Sequence, residues 1–223
     1  MTLAELIAFF RAQSKDQNTG HGESDVLCSD ALLTIYANEA QDEACRRGQL
    51  LRDSASPVCE LPFKAGDSVV DVDDAVLWIL SARLNGKDMY LLSDDEMRAN
   101  RLNWRDDNGV GVPTHLVHGL TTGSLHLWPI PEQDGLIRLT AQRLPIKPLR
   151  NPGDKPEIRR ELHPALVDWM LYRAYSREDT DLYNDTKAAV ALGRFEAEFG
   201  RKASGRNEQW VRDGAGVLPG PIA

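Results

Sequence analysis

Four prolines within twelve residues, Pro145, Pro148, Pro152 and Pro156, constrain this chain more than any other feature of it. Each removes a backbone N–H and fixes φ at about −65°, so residues 144–156 form neither a helix nor a central strand. The stretch 145–161 reads as an extended connector, and the apolar pattern differs on its two sides. Before it, residues 57–144 carry short apolar runs punctuated by Gly, Pro and Asp, the mark of short strands joined by turns. After it, residues 162–203 have helical spacing, as does the opening stretch 1–52. The fold class that follows is α+β: a helical bundle from N- and C-terminal helices, an inserted antiparallel β-rich region, and an extended C-terminal tail over 204–223.

Helix boundaries come from capping chemistry. Thr2-Leu3-Ala4-Glu5 is a capping box, and the helix it opens places Leu3, Leu6, Ile7 and Phe10 on one face. Asn18, Gly20 and Gly22 break the pattern and predict a loop from Asp16. Ser29 caps a second helix carrying Leu33, Ala37, Ala40 and Ala44, with Gly48 as its stop. Beyond the connector, His163-Pro164 opens a helix with Leu166, Trp169, Met170 and Tyr172 inward. Asp179-Thr180-Asp181 interrupts it, and a further helix runs from about Leu182 to Phe199 with Ala188, Leu192, Phe195 and Phe199 on one face. Together they predict an αα-hairpin that packs with the N-terminal helices.

In the central region the expected strands are Val58 to Phe63, Asp67 to Val72, Ala75 to Leu84, Asp88 to Leu92, Thr114 to His118, Ser124 to Ile130 and Leu136 to Gln142. The last two are joined by Pro131-Glu132-Gln133-Asp134-Gly135, a loop of hairpin length, and are expected to pair antiparallel. Ser93-Asp94-Asp95-Glu96 is a second capping box and opens a short helix toward Trp104.

The 223 residues include 34 acidic and 26 basic side chains, a formal net charge of −8. That balance argues against a protein whose main task is gripping nucleic acid, which needs clustered Lys and Arg. The charges fall in blocks: 11 acidic against 6 basic over Glu60 to Val110, but 4 against 9 over Leu136 to Arg177. Such blocks suit a surface that meets different neighbours on different sides. The N-terminus has no cationic region ahead of an apolar one, so no secretory signal is expected. No apolar run approaches the roughly 18 residues of a spanning helix, and no membrane partner is expected. Cys28, Cys45 and Cys59 lack a C-x-x-C pair and read as reduced buried thiols of a protein made in cytoplasm.

Catalytic signatures are sparse. Neither G-x-x-x-x-G-K-[ST] nor G-x-S-x-G occurs, and no cofactor is expected. The best metal-like grouping is His115, His118 and His126, the basis of an alternative reading as a metal-assisted hydrolase. On a strand, residues three apart face opposite sides, which leaves at most His118 and His126 to meet across a hairpin. The pairs Asp73-Asp74, Asp94-Asp95 and Asp106-Asp107 sit where turns and helix starts use carboxylates for local hydrogen bonding. The expectation is no catalytic residue and no metal ligand.

Three stretches resemble the head-to-tail connector, or adaptor, proteins of tailed phages, particularly the tail-tubular-protein-A type of short-tailed phages. They are the run from Ala37 to Leu51 with Asn38, Ala40, Gln41, Glu43 and Ala44; the segment Leu127-Trp128-Pro129-Ile130-Pro131 with Gly135 to Leu139 and Leu144-Pro145; and Leu162-His163-Pro164-Ala165-Leu166 with Tyr172 to Tyr175 and Phe195 to Gly200. The loop 16–28 and the glycine-rich end match no pattern of that family. The resemblance implies a structural virion protein at the head–tail interface. Its subunits would form a dodecameric ring beneath the portal protein, bind the tail nozzle or fibre proteins below, and pass genomic DNA without specific binding. On that reading Trp210, Val211, Val217 and Leu218 form a portal-docking tail, because the segment is too glycine-rich to bury them itself. Subunit contacts are expected between Arg138, Arg143, Lys147, Arg150, Arg159 and Arg160 and the acidic Asp73, Asp74, Asp94 and Asp95, on the ground that the connector's charges lack partners within the chain. An unrelated bacterial binding module is the remaining alternative.

Overall fold

Two stretches far apart in sequence, Met1–Leu51 and Leu144–Lys202, build one unit, and Arg52–Arg143 builds the core of a second. The computed structural model describes residues 1–16, 26–178 and 181–203. The helices are α1 (Leu3–Ser14), α2 (Asp30–Gly48), α3 (Asp94–Asn100), α4 (His163–Tyr175) and α5 (Asp185–Phe199). The strands are β1 (Leu51–Asp53), β2 (Glu60–Phe63), β3 (Val69–Asp71), β4 (Val76–Leu84), β5 (Lys87–Asp88) and β6 (Tyr90–Ser93). They continue with β7 (Val110–Gly111), β8 (His115–His118), β9 (Ser124–Trp128), β10 (Ile130–Pro131) and β11 (Gly135–Arg143). The fold is α+β.

In the first unit, the Thr2 hydroxyl accepts from Glu5 N–H at 3.2 Å while Thr2 N–H donates to the Glu5 carboxylate at 2.9 Å, so α1 starts where the capping box places it. α2 is capped by Ser29, which accepts from Leu32 N–H at 3.3 Å. Its end differs from expectation: Gly48 is still helical and Gln49 takes the left-handed turn, φ 49°. A Cβ on Gly48 would lie 2.8 Å from the Leu50 side chain, so this glycine gives room to the next residue inward. α5 starts three residues later than the apolar pattern suggests. The Asn184 side chain accepts from Lys187 N–H at 2.8 Å and sets the boundary. Leu6, Phe10, Leu33, Leu166, Met170 and Phe195 are fully buried in the common core of these helices. Arg47, its side chain 3% exposed, lies over the rings of Trp169 and Phe195 at 5.3 and 5.2 Å and donates to Glu43 at 2.9 Å, which lets the core's edge tolerate a charge.

The connector is not the exposed strap that its prolines suggest. Leu149 and Ile158 are buried in the helical core. Asn38, on α2, donates to Leu149 C=O at 2.9 Å and accepts from Leu149 N–H at 2.8 Å, so one side-chain amide satisfies both backbone polar groups of a buried residue. Pro152 and Asp154 carbonyls accept from Ala4 and Leu3 N–H, donors that the first turn of α1 leaves open. Glu157 accepts from the N–H groups of Ile146 and Lys147 at 2.8 and 2.7 Å. Prolines rule out regular structure there, and side chains supply the hydrogen bonds instead.

In the second unit, β11 is the spine of one sheet, ordered β1-β11-β4-β5, with β2 also paired to β11. The other sheet is β3-β9-β8-β6, and β7 and β10 form a two-stranded ladder. Leu61, Val70, Ala82, Leu116, Leu127 and Ile137, drawn from both larger sheets, share one core. The region is mostly antiparallel, but β6–β8 and β7–β10 pair parallel. The expected hairpin does not form: β9 pairs with β3 and β8, and β11 with β2 and β4. Pro129 and Pro131 lack the N–H groups that would carry the ladder through the turn, so the chain changes sheets there. Gly135 is required for packing, since a Cβ on it would lie 2.3 Å from the Phe63 ring opposite. α3 begins at its capping box, with Ser93 N–H donating to Glu96 at 2.8 Å, but ends at Asn100. Trp104 lies in a separate 3-10 turn, buried with Met97 and Val117.

Asn38→Ala leaves both polar groups of Leu149 without their partner. It is expected to lower the unfolding free energy by about 1–3 kcal/mol, measured by urea denaturation followed through helical circular dichroism. A loss within error of zero contradicts the role given to this amide.

Candidate functional site

Most of the residues assigned to contacts from the sequence are exposed charges. Arg138, Lys147, Arg150, Arg159 and Arg160 are exposed, as are Asp73, Asp74 and Asp95. Arg143 and Asp94 differ from the premise that such groups lack partners within the chain. Arg143 donates to Asp53 at 2.6 Å, with both side chains nearly buried. Asp94 accepts from Arg105 and, at 3.2 Å, from the Trp104 indole N–H. Among the exposed members, Arg138 reaches Glu60 only at 3.9 Å and Arg159 reaches Glu161 at 3.8 Å, both in open solvent where such pairs contribute little. Trp210, Val211, Val217 and Leu218, assigned to docking, lie outside the described residues, as does most of the loop 16–28.

His118 faces away from the other two histidines. His126 pairs across the ladder with Val117, which puts it on the face opposite His118 and removes the one pairing that strand geometry had left open. His115 stacks on Tyr90 and meets Trp128 edge-on, each at 5.1 Å between ring centroids, and His126 meets Trp104 edge-on at 6.2 Å. Burial pushes both imidazoles below their ordinary pKa, with the Arg105 charge adding to the effect at His126. Among the described residues, no group of three or more His, Cys, Asp or Glu is arranged to hold a metal ion. The three thiols are buried and form no disulfide, and burial pushes those of Cys28 and Cys59 up, away from the reactive thiolate.

Two features escaped the sequence reading. Glu39, Asp42 and Glu43 share a face of α2 beside Trp169 and Tyr172. There burial, then the charges of Glu43 and Glu39, raises the Asp42 pKa. Their i, i+3 and i, i+4 spacing was the available signal. The second is a cleft beside Asp73 and Asp74, whose local signal was Trp78 a few residues on.

At Asp53 burial opposes ionisation, but donation from Ala55 N–H, the Arg143 guanidinium and Ser56 outweighs it and holds the carboxyl well below the usual carboxylate range. A depressed folded-state pKa adds stability that is fully present above the unfolded value of about 4 and drains away as pH falls below it. Asp53→Asn is expected to cost about 1–3 kcal/mol at pH 7, with the gap from wild type closing as pH drops through that window in acid-dependent denaturation. A gap independent of pH contradicts the assignment.

No helix among the described residues is long and apolar enough to cross a membrane. No curated protein matches the chain. A family model described as SU10 adaptor protein matches residues 1–217, a span that includes both the loop 16–28 and most of the glycine-rich end that had matched no family pattern by inspection. The chain belongs to the SU10 adaptor protein family, a phage head-to-tail adaptor family.

Proposed function

We propose that this protein is a structural, non-enzymatic virion subunit that forms a ring beneath the portal and joins the capsid to the tail while leaving a channel for genome exit. The observation that carries the reading is the family match over nearly the whole chain. The charge distribution supports it. Lys147, Arg150, Arg159 and Arg160 are exposed in the helical unit and Asp73, Asp74 and Asp95 in the β-rich unit, so one copy offers charges of both signs to a neighbour. Closed rings are built by repeating such a heterologous contact. A dodecamer, the portal above, and a nozzle or fibre protein below complete the proposal. With −8 per copy, a ring carries a net charge that opposes lasting attachment to the phosphates of passing DNA.

The arm proposed for portal docking is the segment 204–223 with Trp210, Val211, Val217 and Leu218. Burial of such apolar anchors in a partner is the kind of contact that dominates binding energy at protein interfaces. A chain ending at Lys202 is expected to lose portal binding in co-sedimentation while keeping its fold by circular dichroism; unchanged binding contradicts the arm. Self-association is expected to weaken between about 0.05 and 0.5 M salt, over which the Debye length falls from about 14 to 4 Å. Indifference to salt in sedimentation velocity counts against charge-matched subunit contacts.

A further inference from the structure

The second unit contains a cleft of ≈ 190 Å³ whose lining combines apolar, aromatic, carboxylate and hydroxyl groups. It lies where the turn 72–75 meets the turn 119–123, which are held together by Val72 N–H donating to Gly123 C=O at 2.8 Å. Ile79, Leu91 and Leu125 supply apolar surface, and Trp78 supplies an aromatic ring. Asp73 and Asp74 are exposed carboxylates on the lining. The Ser124 hydroxyl is buried at the cleft and has no hydrogen-bond partner among the described residues. Small-molecule sites occupy about 300–1,000 Å³, so this cleft is sized for a single long side chain. An aromatic ring, two carboxylates and a spare hydroxyl acceptor suit a guanidinium, which stacks on rings and donates in several directions at once.

The same chain carries a donor of matching form. Arg159 and Arg160 are adjacent and exposed, the Arg159 side chain 84% so. They project from a fixed base: Ile158 is buried, and its carbonyl is 2.9 Å from Nε2 of the buried His163. With the backbone at Ile158 fixed, contact has to order only the arginine side chains themselves.

We infer that the cleft bounded by Asp73, Asp74, Trp78 and Ser124 receives an arginine of the Arg159-Arg160 pair from a second copy of this chain. The inference rests on the ring proposed above and names the contact that propagates it. One guanidinium enters over Trp78 and donates to Ser124 Oγ and a carboxylate, while its neighbour pairs with the other carboxylate at the rim. Contact between unlike surfaces leaves two joined copies with one cleft and one basic pair open between them, so further copies add until the ring closes.

The test uses the full chain, with self-association followed by sedimentation velocity and portal binding by co-sedimentation. Asp73→Asn with Asp74→Asn, and separately Arg159→Glu with Arg160→Glu, are each expected to weaken self-association about tenfold or more. Exchanging the charges, D73R and D74R together with R159D and R160D, is expected to restore part of the loss. If a variant misfolds by circular dichroism, Asp74→Cys and Arg160→Cys in a mixture of copies provide the second measurement: a bismaleimide is expected to join them between chains. Wild-type rings with unaffected variants and no cross-link overturn this contact and leave the ring intact. Loss of portal or tail-protein binding with self-association unchanged assigns the cleft to another partner and also overturns it. A wild-type chain that never self-associates, with or without portal, overturns the ring reading itself.

Discussion

The helical unit is closed by Asn38. Its amide both donates to and accepts from the backbone of Leu149, and so lets a proline-rich segment be buried without orphaned polar groups. With Leu149 and Ile158 inside, the connector's carbonyls reach the open N–H groups of α1, and helices from the two ends of the chain share a core. Prolines that exclude regular structure also lower the entropy lost when the segment is fixed. The unit therefore depends on a segment that belongs to no helix or strand.

Local chemistry in this chain was legible where a side chain and a nearby backbone group determine the outcome together. The capping boxes at Thr2 and Ser93 open α1 and α3, and Ser29 caps α2. What the sequence hid was long-range. Nothing near Asn38 announces Leu149, and nothing near Arg143 announces Asp53, because these partners are separated by most of a domain. The β9–β11 pairing was misread because a loop of hairpin length is necessary for a hairpin but not sufficient. Pro129 and Pro131 were visible, and their missing N–H groups were the signal to weigh. For the histidines the period of the strand excluded His115 with His118, but only the register, Val117 opposite His126, separated His118 from His126.

Charge supplies the link from fold to role. The pairs that the fold uses, Arg143 with Asp53 and Arg47 with Glu43, are nearly buried. The exposed groups at 147–160 and at Asp73 and Asp74 remain available to a neighbour. In the proposed ring that neighbour is a second copy, and opposite charges would let identical copies select register and approach each other quickly.

The most direct measurement is electron cryo-microscopy of the full chain assembled with its portal protein. The account predicts a closed ring of twelve copies seated against the portal around an open axial channel. Isolated copies scattered on the portal, or a portal that binds none, contradict it.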